Sequence, residues 1–467
     1  MAAPHDTVHV LLVSYPAQGH INPLLQFAKR LAAAHRRVRC TLAVARSALA
    51  SSDLLATQPP TGGGAVHVAV FSDGCDGGGY GEVGDVHAYL ARLESAGSRT
   101  LDELLRGEAT RGRPVRTVVY DAFLPWAPPV ARRHGAACAA FFTQACAVNV
   151  AYEHAWRGRV ALPLAGTPAP EEMPGLPEGL EPADFSTFLT EPPAGSSSYL
   201  DLLLQQCQGL EVADLVLINS FYELQTQEAE YMASRWGAMT IGPTLPSAYL
   251  DNRIPEDSSY DYQLHTPMTE ECKAWLDKRP AHSVVYVSFG SHATPSPEQM
   301  TELAEGLYNS GKAFLWAVRD SATSRIPESL VVKVKERGLV VSWSPQLDVL
   351  AHSAIGCFVT HCRWNSTTEG LALGVPMVAM PQWSDQPMNA KYIQDVWGVG
   401  VRARSDVKGV VRKDEVERCV REVMEGEMSK KYKKNAMSWR EKAKRAMSEG
   451  GSSDRSIMEF LGKFGLN

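Results

Sequence analysis

The chain reads as an α/β protein built from two Rossmann-like halves, and three observations predict this. Short apolar, β-branched segments alternate with helical patterns in both halves. One aperiodic stretch rich in Pro, Ser and Asp separates them. The 467 residues are enough to bury two full cores. Short, mostly apolar strands alternating with helices belong in parallel sheets covered on both faces.

In the first half, residues 8–14, 39–45, 66–71, 115–120 and 137–142 have strand character, and 21–34 carries helical spacing with Pro23 in its first turn. Residues 241–267 lack periodicity and read as a linker. Strand patterns resume at 284–288, 313–317, 339–342, 355–360 and 377–379, with helices over 298–308, 365–373 and 386–396. The tail over 413–464 is helical and charged, with a Gly/Ser break at 450–453. The expected domains are therefore 1–240 and 268–449, joined by 241–267, with 450–467 a terminal helix packing back on the first domain. Open α/β sheets bind ligands at the carboxyl ends of their strands, so the expected site is a cleft between two facing domains.

Composition narrows the function. Lys+Arg 46 against Asp+Glu 52 gives a net charge of −6, which offers no basic field for nucleic acid. A mean hydropathy of −0.18, with no apolar run near about 18 residues, argues against a membrane span. The amino terminus has no basic region ahead of its short apolar segment and carries Asp6, so it reads as a first strand and not a signal peptide. Nine cysteines, with no C-x-x-C and no zinc-like Cys/His spacing, read as buried apolar filler in a reducing compartment, which implies a cytoplasmic protein without a metal site.

Gly79-Tyr-Gly-Glu-Val-Gly84 matches the dinucleotide fingerprint G-x-G-x-x-G, but the acidic stretch 72–76 stands between it and the preceding strand. A phosphate loop must open a helix directly after a strand, so this is expected to be a flexible surface loop. His20, in 14–23 (SYPAQGHINP), follows the first strand through a Gly-containing turn and stands at a helix start. An imidazole there can serve as a general base, or simply as a cap or packing group. Asp121 ends the strand 115–120 and can accept the other ring N–H of such a base, fixing its tautomer and balancing the imidazolium; alternatively it caps the helix that follows.

The densest signal is the 44-residue stretch 343–386. His361 ends a strand, and Asn365, Ser366 and Glu369 fall in the opening of a helix, where unpaired amides and positive dipole suit a diphosphate. Glu369 lies one turn beyond Asn365 and can accept from a ribose diol. Trp343 offers a flat face for a base, and Asp385 and Gln386 open a further helix and can bind sugar hydroxyls. Singly, Trp343 reads as core and Ser366 or Asp385 as caps; their joint spacing is harder to dismiss.

This stretch resembles the signature box of plant family-one UDP-glycosyltransferases, which opens W-x-P-Q, contains H-C-G-W-N-S-x-x-E and closes D-Q. PAQGHINP, strand-end Asp121 and Val287-Ser-Phe-Gly-Ser291 resemble the same family, and the likeness spans nearly the whole chain. The acidic, Gly-rich FSDGCDGGG resembles the subgroup acting on hormones, phenolic acids and some mycotoxins. The resemblance implies a GT-B fold in which the first half binds the acceptor and the second binds UDP-sugar. On that footing Trp343 stacks on uracil and the Ser344 backbone meets the base edge. Gln346 and Glu369 hold the ribose, and His361, Asn365, Ser366 and Ser291 hold the diphosphate. Trp364, Asp385, Gln386 and Thr143 contact the sugar, while Phe123, Phe142 and Ser384 face the acceptor beside His20. Gln386 at the end of the box favours UDP-glucose over UDP-galactose.

The expected activity is inverting, metal-independent transfer of glucose from UDP-glucose to a hydroxyl or carboxyl of a small, mostly apolar molecule, as in plant secondary metabolism and detoxification, by a monomer without other cofactors. No D-x-D occurs to clamp a metal-bound nucleotide sugar. The rival readings are a sugar-nucleotide epimerase or hydrolase on the same scaffold, and a non-catalytic small-molecule binding protein. One position departs from the family pattern: Arg363 stands where the box has Gly. It is expected in ordinary helical or extended geometry with its head in solvent.

Overall fold

The computed structural model describes residues 7–49, 65–164, 173–190, 197–258, 260, 268–290, 295–318 and 328–466. The chain divides into two compact units, Met1–Leu264 with Lys444–Asn467, and His265–Ala443.

The first unit is a seven-stranded sheet. Its strands are β1 (Val8–Val13), β2 (Val38–Ala45), β3 (Val66–Phe71), β4 (Val115–Asp121), β5 (Ala137–Phe142), β6 (Leu215–Ile218) and β7 (Met239–Thr240). They lie in the order β3-β2-β1-β4-β5-β6-β7, and every pairing is parallel. β1 shows why: Val10, Leu11, Leu12 and Val13 are each buried completely, which only a strand covered on both faces allows. The helices Gln18–Ala34 and Val86–Thr110 supply part of that cover. The sequence reading did not include β6 and β7, of four and two residues.

The second unit repeats the plan. β8 (Val284–Ser288), β9 (Ala313–Ala317), β10 (Gly338–Val341), β11 (Ile355–Thr360), β12 (Met377–Ala379) and β13 (Gly400–Arg402) form a parallel sheet in the order β10-β9-β8-β11-β12-β13. Its core joins Val285, Val287, Val359 and Val378 from the strands to Leu303 and Val420 from helices packed on them. Both sheets reverse strand order at one place, between β1 and β4 in one and between β8 and β11 in the other. At such a reversal the crossovers leave on opposite sides, so a crevice opens at the strands' carboxyl ends.

The segment read as a linker is part of the first unit as far as Leu264. Ile241, Leu245, Leu250 and Ile254 are buried, and two acidic residues anchor it to the helix Gln18–Ala34. Lys29 Nζ meets Asp257 Oδ1 at 2.9 Å, and Arg30 takes Asp251 in a two-pronged grip at 2.7 Å on each oxygen. Composition pointed to a linker because Asp, Ser and Pro are rich there, but here the aspartates serve as partners for buried cations. The C-terminal helix Ser452–Gly462 lies on the same unit: Phe460 packs on Phe27 at 5.7 Å, and Arg253 bridges Asp251 and Asp454. The loop at 77–84 is exposed but internally bonded. Glu82 accepts from the Gly77 and Gly78 N–H groups just ahead of the fingerprint.

The Asp251 side chain is 2% exposed. Burial pushes its pKa up, but the hydrogen bond and charge of Arg30, aided by Ser247 and Arg253, outweigh this and hold it at about 2. A carboxyl depressed in the folded state adds stability above its unfolded pKa and loses it as pH falls through the folded one. Asp251→Asn is therefore expected to cost about 2–4 kcal/mol at pH 7. The gap from wild type should close as pH falls from about 4 towards 2. Chemical denaturation at stepped pH measures it, and a gap constant with pH would refute the ionic contribution.

Candidate functional site

In the first unit, polar chemistry collects at the strand-order reversal. β1 ends in a turn, the helix Gln18–Ala34 begins, and His20 falls in its first turn, its N–H bonded to the Ala17 carbonyl. Asp121 is the last residue of the neighbouring β4. Its carboxylate is fully buried and bound on both oxygens: Oδ1 accepts the Phe123 N–H at 3.0 Å, and Oδ2 lies 2.7 Å from His20 Nδ1. A carboxylate at that distance assigns the proton to Nδ1, which leaves Nε2 with a free lone pair. Tyr15 and Phe123 pack against the imidazole at 5.1 and 4.9 Å between ring centroids and against each other at 5.6 Å, so the three rings form one cluster. Thr143 Oγ1 lies 3.4 Å from the same Nδ1. Phe142, by contrast, is sealed in the interior at 1% exposure, so its ring belongs to the packed core.

In the second unit the corresponding reversal brings the end of β8 beside the end of β11. Gly290 follows β8 at φ 69°, and a Cβ placed on it would stand 3.0 Å from the His361 ring. Glycine is needed here twice over, for its dihedral and for the approach to that ring. The helix Trp364–Leu373 starts immediately beyond, placing Asn365 and Ser366 in its first turn. Ser291 lies outside the described residues.

A second set of side chains is wired together. Gln346 Nε2 donates to Ser366 Oγ at 3.1 Å and to Glu369 Oε2, and Gln346 Oε1 accepts from the Tyr286 hydroxyl at 3.1 Å. The Tyr286 hydroxyl also meets Ser344 Oγ at 2.8 Å. Glu369, at 5% exposure, is thus a buried acceptor whose orientation is set by an amide. Sequence reasoning missed Tyr286. The available signal was a phenol inside the run Val284–Ser288, since a buried hydroxyl needs a partner. Trp343 is half-buried, and its carbonyl accepts from the Met268 N–H.

The third set lies around the turn after β12. Ser384 takes φ 61°, and Asp385 and Gln386 open the helix Gln386–Lys391. Asp385 accepts from Asn389 Nδ2 at 2.8 Å, and burial raises its pKa. Gln386 Oε1 takes the Gln382 and Trp383 N–H groups at 2.7 and 3.1 Å, while its Nε2 is buried without a partner among the described residues. The Trp364 ring is 2% exposed and packs on Trp397 at 6.2 Å between centroids, so only its backbone faces this turn, donating to Asp385.

Arg363 has φ −62° and ψ 149°, ordinary extended backbone. Its head, however, is not wholly in solvent. The residue is half-buried, with the guanidinium carbon 4.7 Å from the Trp383 ring centroid, because a cation gains more over an indole face than in water alone. The left-handed residue in this turn is its neighbour Cys362, at φ 66°.

Residues 246–444 match the family model described as UDP-glucoronosyl and UDP-glucosyl transferase. UDP-glucosyltransferase UGT13248 of Hordeum vulgare subsp. vulgare is 48% identical, over 97% of this chain and 94% of its own. UDP-glycosyltransferase 79 of Oryza sativa subsp. japonica is 46% identical, over 99% and 98%. The crystal structure of Os79 from O. sativa in complex with UDP superposes with a TM-score of 0.89 at 45% identity, covering 97% of this chain and all of that one.

Gly290→Ala is expected to destabilise the second unit by about 1–2 kcal/mol, the cost of a left-handed L residue, with more if the His361 ring cannot yield. Thermal denaturation reports it. An unchanged midpoint would mean that the turn relaxes away from His361.

Proposed function

The chain belongs to the plant UDP-glycosyltransferase family, an enzyme family of GT-B fold, and from that premise we propose that it is an inverting glucosyltransferase using His20 and Asp121 as its catalytic dyad. The observation that carries this reading is the 2.7 Å contact between His20 Nδ1 and the buried Asp121 carboxylate, which leaves Nε2 free to take a proton. The acceptor's O–H proton passes to Nε2, its oxygen forms the new bond to the anomeric carbon, and the bond from that carbon to UDP breaks on the opposite face. Asp121 balances the imidazolium.

In this reading the uracil stacks on Trp343 with its edge at the Ser344 backbone, and the ribose bonds Glu369 and Gln346, which already fix one another. His361, Asn365, Ser366 and the amides opening Trp364–Leu373 meet the leaving diphosphate, so its charge is stabilised by groups in place before reaction and a metal is not required. Ser291 is assigned to the same group by its motif. Asp385, the unpartnered Gln386 Nε2, the Trp364 backbone and Thr143 take the glucose hydroxyls, with Ser384 and Phe123 towards the acceptor. The acceptor is a small, mostly apolar alcohol or acid; the rice relative, whose structures include one with trichothecene, favours a terpenoid of mycotoxin type. We place the protein in the cytoplasm as a monomer. All nine cysteines are unpaired and buried, as suits a reducing compartment, and no helix among the described residues is long and apolar enough to cross a membrane.

UDP release from UDP-glucose, with and without phenolic and terpenoid acceptors, tests the reading. Acceptor-dependent release supports transfer, acceptor-independent release supports hydrolysis, conversion of UDP-glucose to another UDP-sugar without release supports epimerisation, and no change at all supports a binding protein. His20→Ala is expected to lower turnover on an aliphatic alcohol by about 10²–10⁴-fold while UDP-glucose still binds. Asp121→Asn should be slow as well, and the double variant hardly slower than His20→Ala alone, since the pair acts as one unit. Multiplying defects would dissolve the dyad.

Donor choice should depend on Gln386. With both donors competing in one tube, glucose should be preferred, and Gln386→His should shift the ratio towards galactose by about 1–3 kcal/mol, the scale of one hydroxyl's hydrogen bonds. A constant ratio would remove Gln386 from that role.

A further inference from the structure

Three contacts stitch the turn 362–364 to the turn 383–385 in the second unit. Asn389 Nδ2 donates to the Cys362 carbonyl at 2.9 Å and to Asp385 Oδ2 at 2.8 Å. The Trp364 backbone N–H donates to the Asp385 carboxylate. The Arg363 guanidinium carbon stands 4.7 Å from the centre of the Trp383 ring. Each turn contains a non-glycine residue in the left-handed region, Cys362 at φ 66° and Ser384 at φ 61°. L residues rarely hold that conformation unless their surroundings impose it. The backbone contacts and Asn389 fix Cys362 and Asp385, and on the Trp383 side the Arg363 side chain reaches across to the ring, while the Trp383 N–H is taken by Gln386 Oε1 within its own turn.

We propose that Arg363 is a positioning residue for glucosyl transfer: it clamps the turn bearing Trp383, Ser384 and Asp385 against the start of the helix Trp364–Leu373 and sets a positive charge beside the Asp385 carboxylate. The inference rests on the assignment of Asp385 to the sugar. Asp385 is 4% exposed, and a carboxylate so placed loses hydration that a nearby cation partly replaces. Burial raises the Asp385 pKa, and the Arg363 charge is foremost among the effects opposing that rise, ahead of the bonds from Asn389 and the Trp364 N–H. The other titratable group against it is the fully buried Cys362 thiol, which burial keeps protonated and which Arg402 of β13 also faces. Arg363 is therefore a cation that favours the charged form of Asp385 against the effect of burial. A side chain acting in this way affects the glucosyl part of the donor and leaves the nucleotide part alone, because the uracil, ribose and diphosphate assignments fall on other residues.

The test compares UDP with UDP-glucose by calorimetric titration of the full-length protein between pH 5 and pH 8, for wild type, Arg363→Met, Arg363→Lys and Asp385→Asn. Methionine keeps apolar bulk over Trp383 without the charge; lysine keeps the charge without the flat guanidinium. Arg363→Met is expected to weaken UDP-glucose about five- to tenfold, the net worth of one ordinary hydrogen bond, and to leave UDP within about twofold. Its UDP-glucose affinity should also begin to fall at a higher pH than in wild type as the solution is made acidic, because loss of the cation raises the Asp385 pKa and the bonding form is the carboxylate. Arg363→Lys should restore the pH dependence and only part of the affinity. Equal losses for UDP and UDP-glucose in Arg363→Met, or an unchanged ratio with an unchanged pH dependence, would overturn the proposal. An Asp385→Asn protein that binds UDP-glucose like wild type would instead remove the sugar assignment on which the proposal stands, and that result is recognisable without any Arg363 variant.

Discussion

Everything functional in this chain depends on one topological constraint, met twice: a parallel sheet whose strand order reverses once. β1 pairs with β2 on one side and β4 on the other, and β8 with β9 and β11. Each connection beyond a strand's carboxyl end then departs in its own direction, and the polypeptide cannot fill the gap between them. The gap is floored by strand ends and walled by helix starts, where amides are unpaired. Both halves of the proposed chemistry use this gap for opposite purposes. In the first unit it receives a buried carboxylate that must be partnered, and His20 is the partner. In the second it offers a helix start that must be complemented, and an anion is the natural complement.

Buried polar groups carry the second level of order. Glu369 and Tyr286 could not remain in the interior alone, so each is tied to Gln346, and the amide becomes fixed by having both of its ends used. That bonding is expensive to disturb, which is what makes it accurate. Glu369 is thereby an acceptor already held in one orientation. The same reasoning applies to Gln386, whose carbonyl end is committed to two backbone N–H groups and whose amino end is not committed at all.

How much of this was readable beforehand follows from where each signal resides. Strands β1 to β5 and β8 to β12 announce themselves as mostly apolar runs because burial on both faces favours apolar residues. β6, β7 and β13, at two to four residues, are held by their neighbours and hardly by their own composition. His20 and Asp121 were legible as strand-end and helix-start residues, although 101 positions apart, since parallel topology brings such ends together. Tyr286 and Asn389 were not, because their importance lies in what they touch across the unit. The segment after Ile241 misled for a related reason: its aspartates look like solvent-seeking residues until Lys29 and Arg30 are known to be buried opposite them.

Arg363 shows the same limit from the other direction. A glycine in a motif invites the inference that its backbone needs freedom, and an arginine in its place then looks harmful. The dihedrals locate the strain one residue earlier, at Cys362, while position 363 is plain extended chain that any residue can occupy. What a glycine there would leave open is therefore space beside Trp383, and the guanidinium fills it at stacking distance. Backbone geometry, more than residue identity, decides whether a motif position is constrained by its dihedrals or by its surroundings. At a position of the second kind a substitution can add a contact to the site as readily as it can remove one.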